Sequence, residues 1–520
     1  MSSHLVGVHD LLAALERPGP PVLLDVRDLA ESERGHAAGA TILPRRRLEF
    51  RIDALVRDRA TPIVAIDSGD DDGTGRRDSR AALASATLRA LGYARAAALD
   101  GGMVAWRDAG LPEVHGAQGA SQAFGRRIGD LRRVPTVTVA ALLRWKAEGR
   151  RVALCDVRTA AEHTEGCVPG AVALPGFEVA LHALDMGAES DVIVLCSSAR
   201  TRGVLAARTL IGLGLGDVVA LDGGTLAWRL AGQALEHGSH RRRIAPSTAA
   251  LQFAELAAAR LAKHVGVGSV EAADLAATLA APAANLHLFD LRDAACHADG
   301  HVPHSIAVPC DALLVRNEEW LAARATPVVL VDDVEVRALL AGVWLRRLGY
   351  ADVAVLAGGH AAWARDGRRL ASGRSPPLGW QDVQARAPAL QPGEVAGWLA
   401  SHPGACLLHV DTSASWRRGH LPDAAWLQRG WLEARIGLVA PHHSLPLLLT
   451  CVEGAQAAYA AATLRERGYE QVAWLDGGTR AWAAAGHVLV TSALPLQDDE
   501  LLLPARRDAQ AMGDYLQAPS

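Results

Sequence analysis

The phrase "LDGGMVAW" at residues 99–106 returns as "LDGGTLAW" at 221–228, "LAGGHAAW" at 356–363 and "LDGGTRAW" at 475–482. Four versions of one phrase in a 520-residue chain mark an internal repeat. Upstream of each lies a helical pattern with a matching end: "ALASATLRALGY", "GVLAARTLIGLGL", "RALLAGVWLRRLGY" and "AAYAAATLRERGY". Further back stand short apolar runs that stop at an acidic residue: "PVLLDVRD", "RVALCDVRT", "LHLFDLRD" and "CLLHVDTS". The turns "RGHAAGA", "EGCVPGA", "DGHVPHS" and "RGHLPDA" follow them. The order is strand, turn, strand, loop, helix, strand, Gly-Gly turn, short helix. Continuous apolar strands alternating with helices predict α/β units built on parallel sheets covered on both faces. Each copy is longer than a solenoid repeat and is expected to be a complete small domain.

Composition agrees with several globular domains: 50% of residues are hydrophobic and 21% charged. A net charge of −4 gives no reason to expect a nucleic-acid partner. No run of eighteen apolar residues appears, so no membrane span is expected. The start, "MSSHLVGVHDLLAALERPGPP", lacks the basic head and unbroken apolar stretch of a signal peptide. The 7 cysteines are scattered and odd in number, which speaks against a disulfide framework. The expectation is a soluble cytoplasmic protein with free thiols. Polar or Pro-rich stretches between copies, "EVHGAQGASQAFGRR", "HGSHRRRIAPS" and "SGRSPPLGWQDVQARAP", read as linkers.

The recurring Trp106, Trp228, Trp363 and Trp482 are expected to anchor the last helix of each copy in its core. His36, His301 and His420, with Cys167 at the same place in the second copy, read as structural turn residues. Close paired ligand spacing is missing, so neither a metal nor a cofactor is expected. Cys155 and Cys406 read as core residues, while Cys296 and Cys310 fall away from the third copy's loop.

One position differs between copies. Aligned on the strands "TPIVAID", "SDVIVLC", "TPVVLVD" and "LPLLLTC", it holds Asp67, Cys196, Asp332 and Cys451. It lies at the carboxyl end of a parallel strand and enters a helix, where unpaired N–H groups and the helix dipole attract anions. A cysteine there is expected to have a lowered pKa. Aspartate cannot serve as a sulfur nucleophile and competes for the same amides. The loop "CSSARTRG" adds Arg200, Arg202 and three hydroxyls (Ser197, Ser198 and Thr201), a set suited to an oxyanion. In "CVEGAQAA", Glu453 stands beside the thiol and opposes its ionisation. Cys196 is therefore the first candidate nucleophile and Cys451 the second.

These residues resemble the rhodanese family of sulfurtransferases, through the "D-V-R" strand end, the "G-H-x-P-G-A" turn, the cysteine loop and the "L-D-G-G-x-x-A-W" ending. The resemblance implies four tandem rhodanese-like domains: 1–116 with Asp67, inactive; 128–240 with Cys196, active; 265–375 with Asp332, inactive; and 388–492 with Cys451, a secondary site. Residues 493–520 form a tail, with a short amphipathic helix expected around Met512, Tyr515 and Leu516. The resemblance also implies that Cys196 takes the sulfane sulfur of thiosulfate as a persulfide and passes it to cyanide or a thiol. The loop Ser197, Ser198, Ala199, Arg200, Thr201 and Arg202 would then bind substrate, with Asp156 and Arg158 bracing the turn.

Copy two has one residue more than copies three and four between its cysteine and the helix end. Its pattern of cysteine, five residues and Arg202 is similar to the cell-cycle phosphatases and arsenate reductases that share the fold. An oxyanion enzyme of that kind is the second reading, and a non-catalytic scaffold the third. In copy one, Asp70, Asp71 and Asp72 are expected to lie on an exposed, solvated insertion.

Overall fold

The computed structural model describes residues 4–70, 77–115, 134–281, 284–322, 326–373, 376–493, 497 and 499. Asp71, Asp72 and the expected tail helix lie outside these residues. Each copy holds a five-stranded, all-parallel sheet. In the second copy the strand order across the sheet is Val172–Ala173, Val152–Asp156, Val192–Cys196, Val218–Leu221 and Thr136–Val137. The other three sheets repeat that order. All five residues of Val192–Cys196 are buried, as a strand covered on both faces requires. The direction of winding reverses between Val152–Asp156 and Val192–Cys196, and the carboxyl ends of those two strands frame the candidate site.

The Gly-Gly phrase has a steric reason. Gly223 and Gly224 both hold positive φ, 67° and 54°. A Cβ on Gly224 would stand 2.0 Å from the carbonyl oxygen of Ser197. The second glycine thus lets the last turn close on the loop after the fourth strand. Trp106, Trp228 and Trp363 are buried as expected, and Trp482 is half-buried. Each donates its Nε1–H to a carbonyl six residues on, as from Trp228 to Ala234 at 2.9 Å. Burying such a side chain contributes about 4 kcal/mol before entropy is counted. His36, His301 and His420 bond the carbonyls of Ser32, His297 and Trp416 through Nδ1, the structural role expected.

The copies pair in a nested way that the sequence did not announce: the first and fourth make one compact unit, the second and third the other. In the first unit the pairing is reciprocal. Arg45 of "PRRRLE" meets Glu433 at 2.7 Å, and Arg429 of "QRGWLE" meets Glu49 at 2.6 Å. Burial by itself would raise the Glu49 carboxyl, but Arg429 and Arg45 outweigh it and hold the pKa below the ordinary value. In the second unit, Trp344 donates to Thr209 Oγ1 at 2.8 Å, joining equivalent helices. Among the described residues no helix is long and apolar enough to cross a membrane.

Candidate active site

Strand register decides which residue each copy offers. Cys196 lies opposite Asp156, as Ile66 lies opposite Asp25, Val331 opposite Asp290 and Thr450 opposite His409. The next residue in each copy is Asp67, Ser197, Asp332 or Cys451. Backbone bonds agree: the N–H groups of Met103, Thr225 and Thr479 donate to the carbonyls of Asp67, Ser197 and Cys451. The variable position of copy two is therefore Ser197.

Cys196, the first candidate, is the last core residue of its strand. It is 0% exposed and packs with Val137, Leu142, Cys167 and Trp228. Its thiol was expected to have a lowered pKa. Burial instead raises it well above the ordinary value, and the Asp156 charge adds to the rise. The reading that matched Cys196 to Cys451 is corrected by one residue, and the extra residue counted in copy two is that displacement.

Cys451 sits where converging amides meet a sulfur. Its Sγ accepts the N–H of Gly454 at 3.1 Å and of Ala457 at 3.4 Å. Here too the lowered pKa expected is not found. Burial pushes the thiol up to about 12, Asp411 adds to the rise, and the N–H groups of Ala457, Glu453 and Gly454 pull the other way. The resting group is a thiol whose amides are placed to hold negative sulfur. Glu453 does not oppose the thiol: its carboxylate is exposed and paired with Arg480 at 2.9 Å.

The neighbouring strand explains why Asp411 is there. In copies one to three the strand ends in an acid two residues before an arginine. Arg158 clasps Asp156 at 2.6 Å and donates to the Gly166 carbonyl at 2.7 Å, bracing the turn as expected. Arg27 and Arg292 do the same with Asp25 and Asp290. By register, copy four places His409 at the acid's position, so Asp411 occupies the arginine's. Burial lowers His409 to about 4, against the pull of Asp411, so it is neutral and needs no guanidinium. Asp411 accepts the N–H of Val452, beside the cysteine, at 3.3 Å.

In copies one and three a carboxylate fills the place. Asp67 accepts the N–H groups of Gly69 at 3.1 Å and Ala81 at 2.9 Å, the counterpart of the amides around Cys451. Burial raises its pKa to about 7, helped by Asp78. Asp332 accepts from Val334 at 3.0 Å and is paired with Arg337.

The six loop residues Ser197, Ser198, Ala199, Arg200, Thr201 and Arg202 do gather around one cleft, of about 780 Å³. Cys196 is not in its lining. Arg202 is held by Glu162 in two bonds, at 2.6 and 2.8 Å, and Arg200 meets Asp222 at 2.9 Å. The five-residue interval of the phosphatase reading therefore starts from a core residue and ends on a paired arginine, and that reading is set aside. Among the described residues no cluster of three or more His, Cys, Asp or Glu is placed to hold a metal ion.

A rhodanese-like domain profile matches residues 8–109, 138–231, 271–366 and 392–485. The chain belongs to the rhodanese-like domain family. A crystal structure of thiosulfate sulfurtransferase from Pseudomonas aeruginosa is similar over 99% of this rhodanese-family chain and 96% of its own, at 31% identity and a TM-score of 0.87. A sulfurtransferase of Allochromatium vinosum is 34% identical over 82 residues, 16% of this chain and 76% of its own. The HTH-type transcriptional regulator Rv0324 of Mycobacterium tuberculosis is 33% identical over 103 residues, 20% of this chain; the match spans only 45% of that regulator.

Sequence reasoning placed Ser197 in the substrate loop of this rhodanese-family chain but missed that it is the counterpart of Cys451, and it missed Asp411. A usable signal existed for the first: Ser197 to Gly223, Asp332 to Gly358 and Cys451 to Gly477 are equal intervals.

Proposed function

We propose that the chain moves sulfane sulfur from thiosulfate or a related donor to cyanide or a thiol, through a persulfide on Cys451. The observation that carries the reading is the pair of N–H groups aimed at Cys451 Sγ from Gly454 and Ala457. The Cys451 thiol attacks the outer sulfur of thiosulfate; the S–S bond to the sulfonate group breaks, and hydrogen sulfite leaves with the thiol proton. The outer sulfur stays as Cys–S–S⁻, its charge shared among the loop amides. Cyanide then takes that sulfur as thiocyanate, and with one proton from water the thiol is restored. Splitting the transfer into two displacements is covalent catalysis. A cytoplasmic location goes with this reading, since seven cysteines outside any disulfide suit a reducing compartment.

The test is thiocyanate formation from thiosulfate and cyanide, with mass analysis of the peptide bearing Cys451 after thiosulfate alone. The expected results are turnover and a gain of one sulfur atom on that peptide. Silence in both, with folded protein, would leave the domains as a scaffold.

A further inference from the structure

Three copies balance their charge at the end of the second strand, and the fourth does not. Asp25, Asp156 and Asp290 are each clasped by an arginine two residues on, so each pair sums to zero. In copy four His409 is neutral and Asp411 stands in the arginine's place, which leaves one net negative charge. Among the described residues Asp411 has no ion pair: its carboxylate accepts the N–H groups of Thr412 at 2.8 Å and Val452 at 3.3 Å. It is partly open to solvent.

The arginines that reach the cysteine loop are matched already. Arg480 pairs with Glu453 at 2.9 Å, and Arg429, which touches Gln456 of the loop, pairs with Glu49 at 2.6 Å. A further carboxylate, Asp499, accepts the N–H and Oγ–H of Ser413, two residues past Asp411, at 2.6 and 2.5 Å. The charge left unmatched beside the reacting sulfur is therefore that of Asp411. We infer that the acceptor at Cys451 is a thiol bearing a positive charge, an aminothiol whose ammonium Asp411 matches; the inference rests on the persulfide reading above. The acceptor sulfur attacks the outer sulfur of Cys–S–S⁻, the bond to Cys451 Sγ breaks, and the acceptor's thiol proton passes to Cys451. The products are the restored thiol and the acceptor's persulfide anion. Asp411 sets the specificity of this second displacement.

The test loads the full chain with inorganic polysulfide and confirms by mass one added sulfur on the peptide bearing Cys451. Loaded protein is then mixed with cysteamine, 2-mercaptoethanol or 3-mercaptopropionate, which are cationic, neutral and anionic, and loss of that sulfur is followed in time. Cysteamine should react fastest and 3-mercaptopropionate slowest. Asp411→Asn, which keeps an oxygen for Val452 N–H, should shrink the cysteamine preference about tenfold. Asp411→Glu should keep it. Comparing the preference between variants cancels the intrinsic reactivity of the three thiols, and a purely structural role for Asp411 would slow all three alike. Failure to load Cys451 overturns the persulfide reading and this inference with it. A loaded chain whose preference is the same with Asn at 411 overturns the inference alone.

Discussion

Gly454 donates its backbone N–H to the sulfur of Cys451 at 3.1 Å while holding φ at +90°. A Cβ there would stand 2.8 Å from the nitrogen of Gly477. One residue therefore joins the Gly-Gly turn to that sulfur. Gly454→Ala is expected to cost about 1–3 kcal/mol of stability. It should also lower kcat more than it raises KM, because the displaced amide acts on the charged sulfur. Thermal melts and steady-state thiocyanate kinetics check both.

Exchanging the two cysteines' expected roles has a direct consequence. Cys451→Ser should reduce thiocyanate formation to background. Cys196→Ala should keep near-full turnover and cost only about 1 kcal/mol, as a small change in a packed core does. The reverse pattern would reinstate Cys196.

The raised Cys451 pKa makes stability fall in alkali. An unfolded cysteine titrates near pH 8.5, whereas burial pushes Cys451 up to about 12. Between those values the folded state keeps a proton that the unfolded state has lost. Each pH unit then removes about 1.4 kcal/mol. Under reducing conditions, denaturant midpoints from pH 8 to pH 11 should drop more steeply for the native chain than for Cys451→Ser.

Asp67 works in the same sense at lower pH. Its carboxyl is raised to about 7 by burial and by Asp78, while an unfolded aspartate titrates near 3.9. Protonation favours the folded state, so this contribution is present in acid and lost as pH rises through about 7. Asp67→Asn should gain stability relative to the parent between pH 5 and pH 8, a difference that melting curves read directly.

The reciprocal pairs of the first unit are nearly sealed from water, with side chains no more than 6% exposed. Glu49→Gln leaves Arg429 and Arg45 short of a buried counter-charge and should cost about 3–5 kcal/mol. Chemical unfolding of this variant should show an early transition, and the Glu49→Gln with Glu433→Gln double variant should be non-additive.

The repeat was legible because its landmarks are steric demands. Gly224 must have no Cβ, and Trp228 must fill a fixed core, so both recur at constant spacing. The parallel strands were legible from their unbroken apolar runs. The site was legible only to within one residue, since Cys196 and Ser197 are adjacent and a cysteine attracts the eye at a loop. The two differ only in which side of the strand end they fall, and that depends on pairing with Asp156.

The order of residues alone determined four α/β domains of the rhodanese kind, because glycine sterics and apolar period are properties of the chain itself. Tertiary structure decided which thiol meets the amides, that Asp411 replaces an arginine beside it, and that copies one and four close on each other through Arg45 and Arg429. Those outcomes arise from register and burial, and neither exists until distant segments have come together.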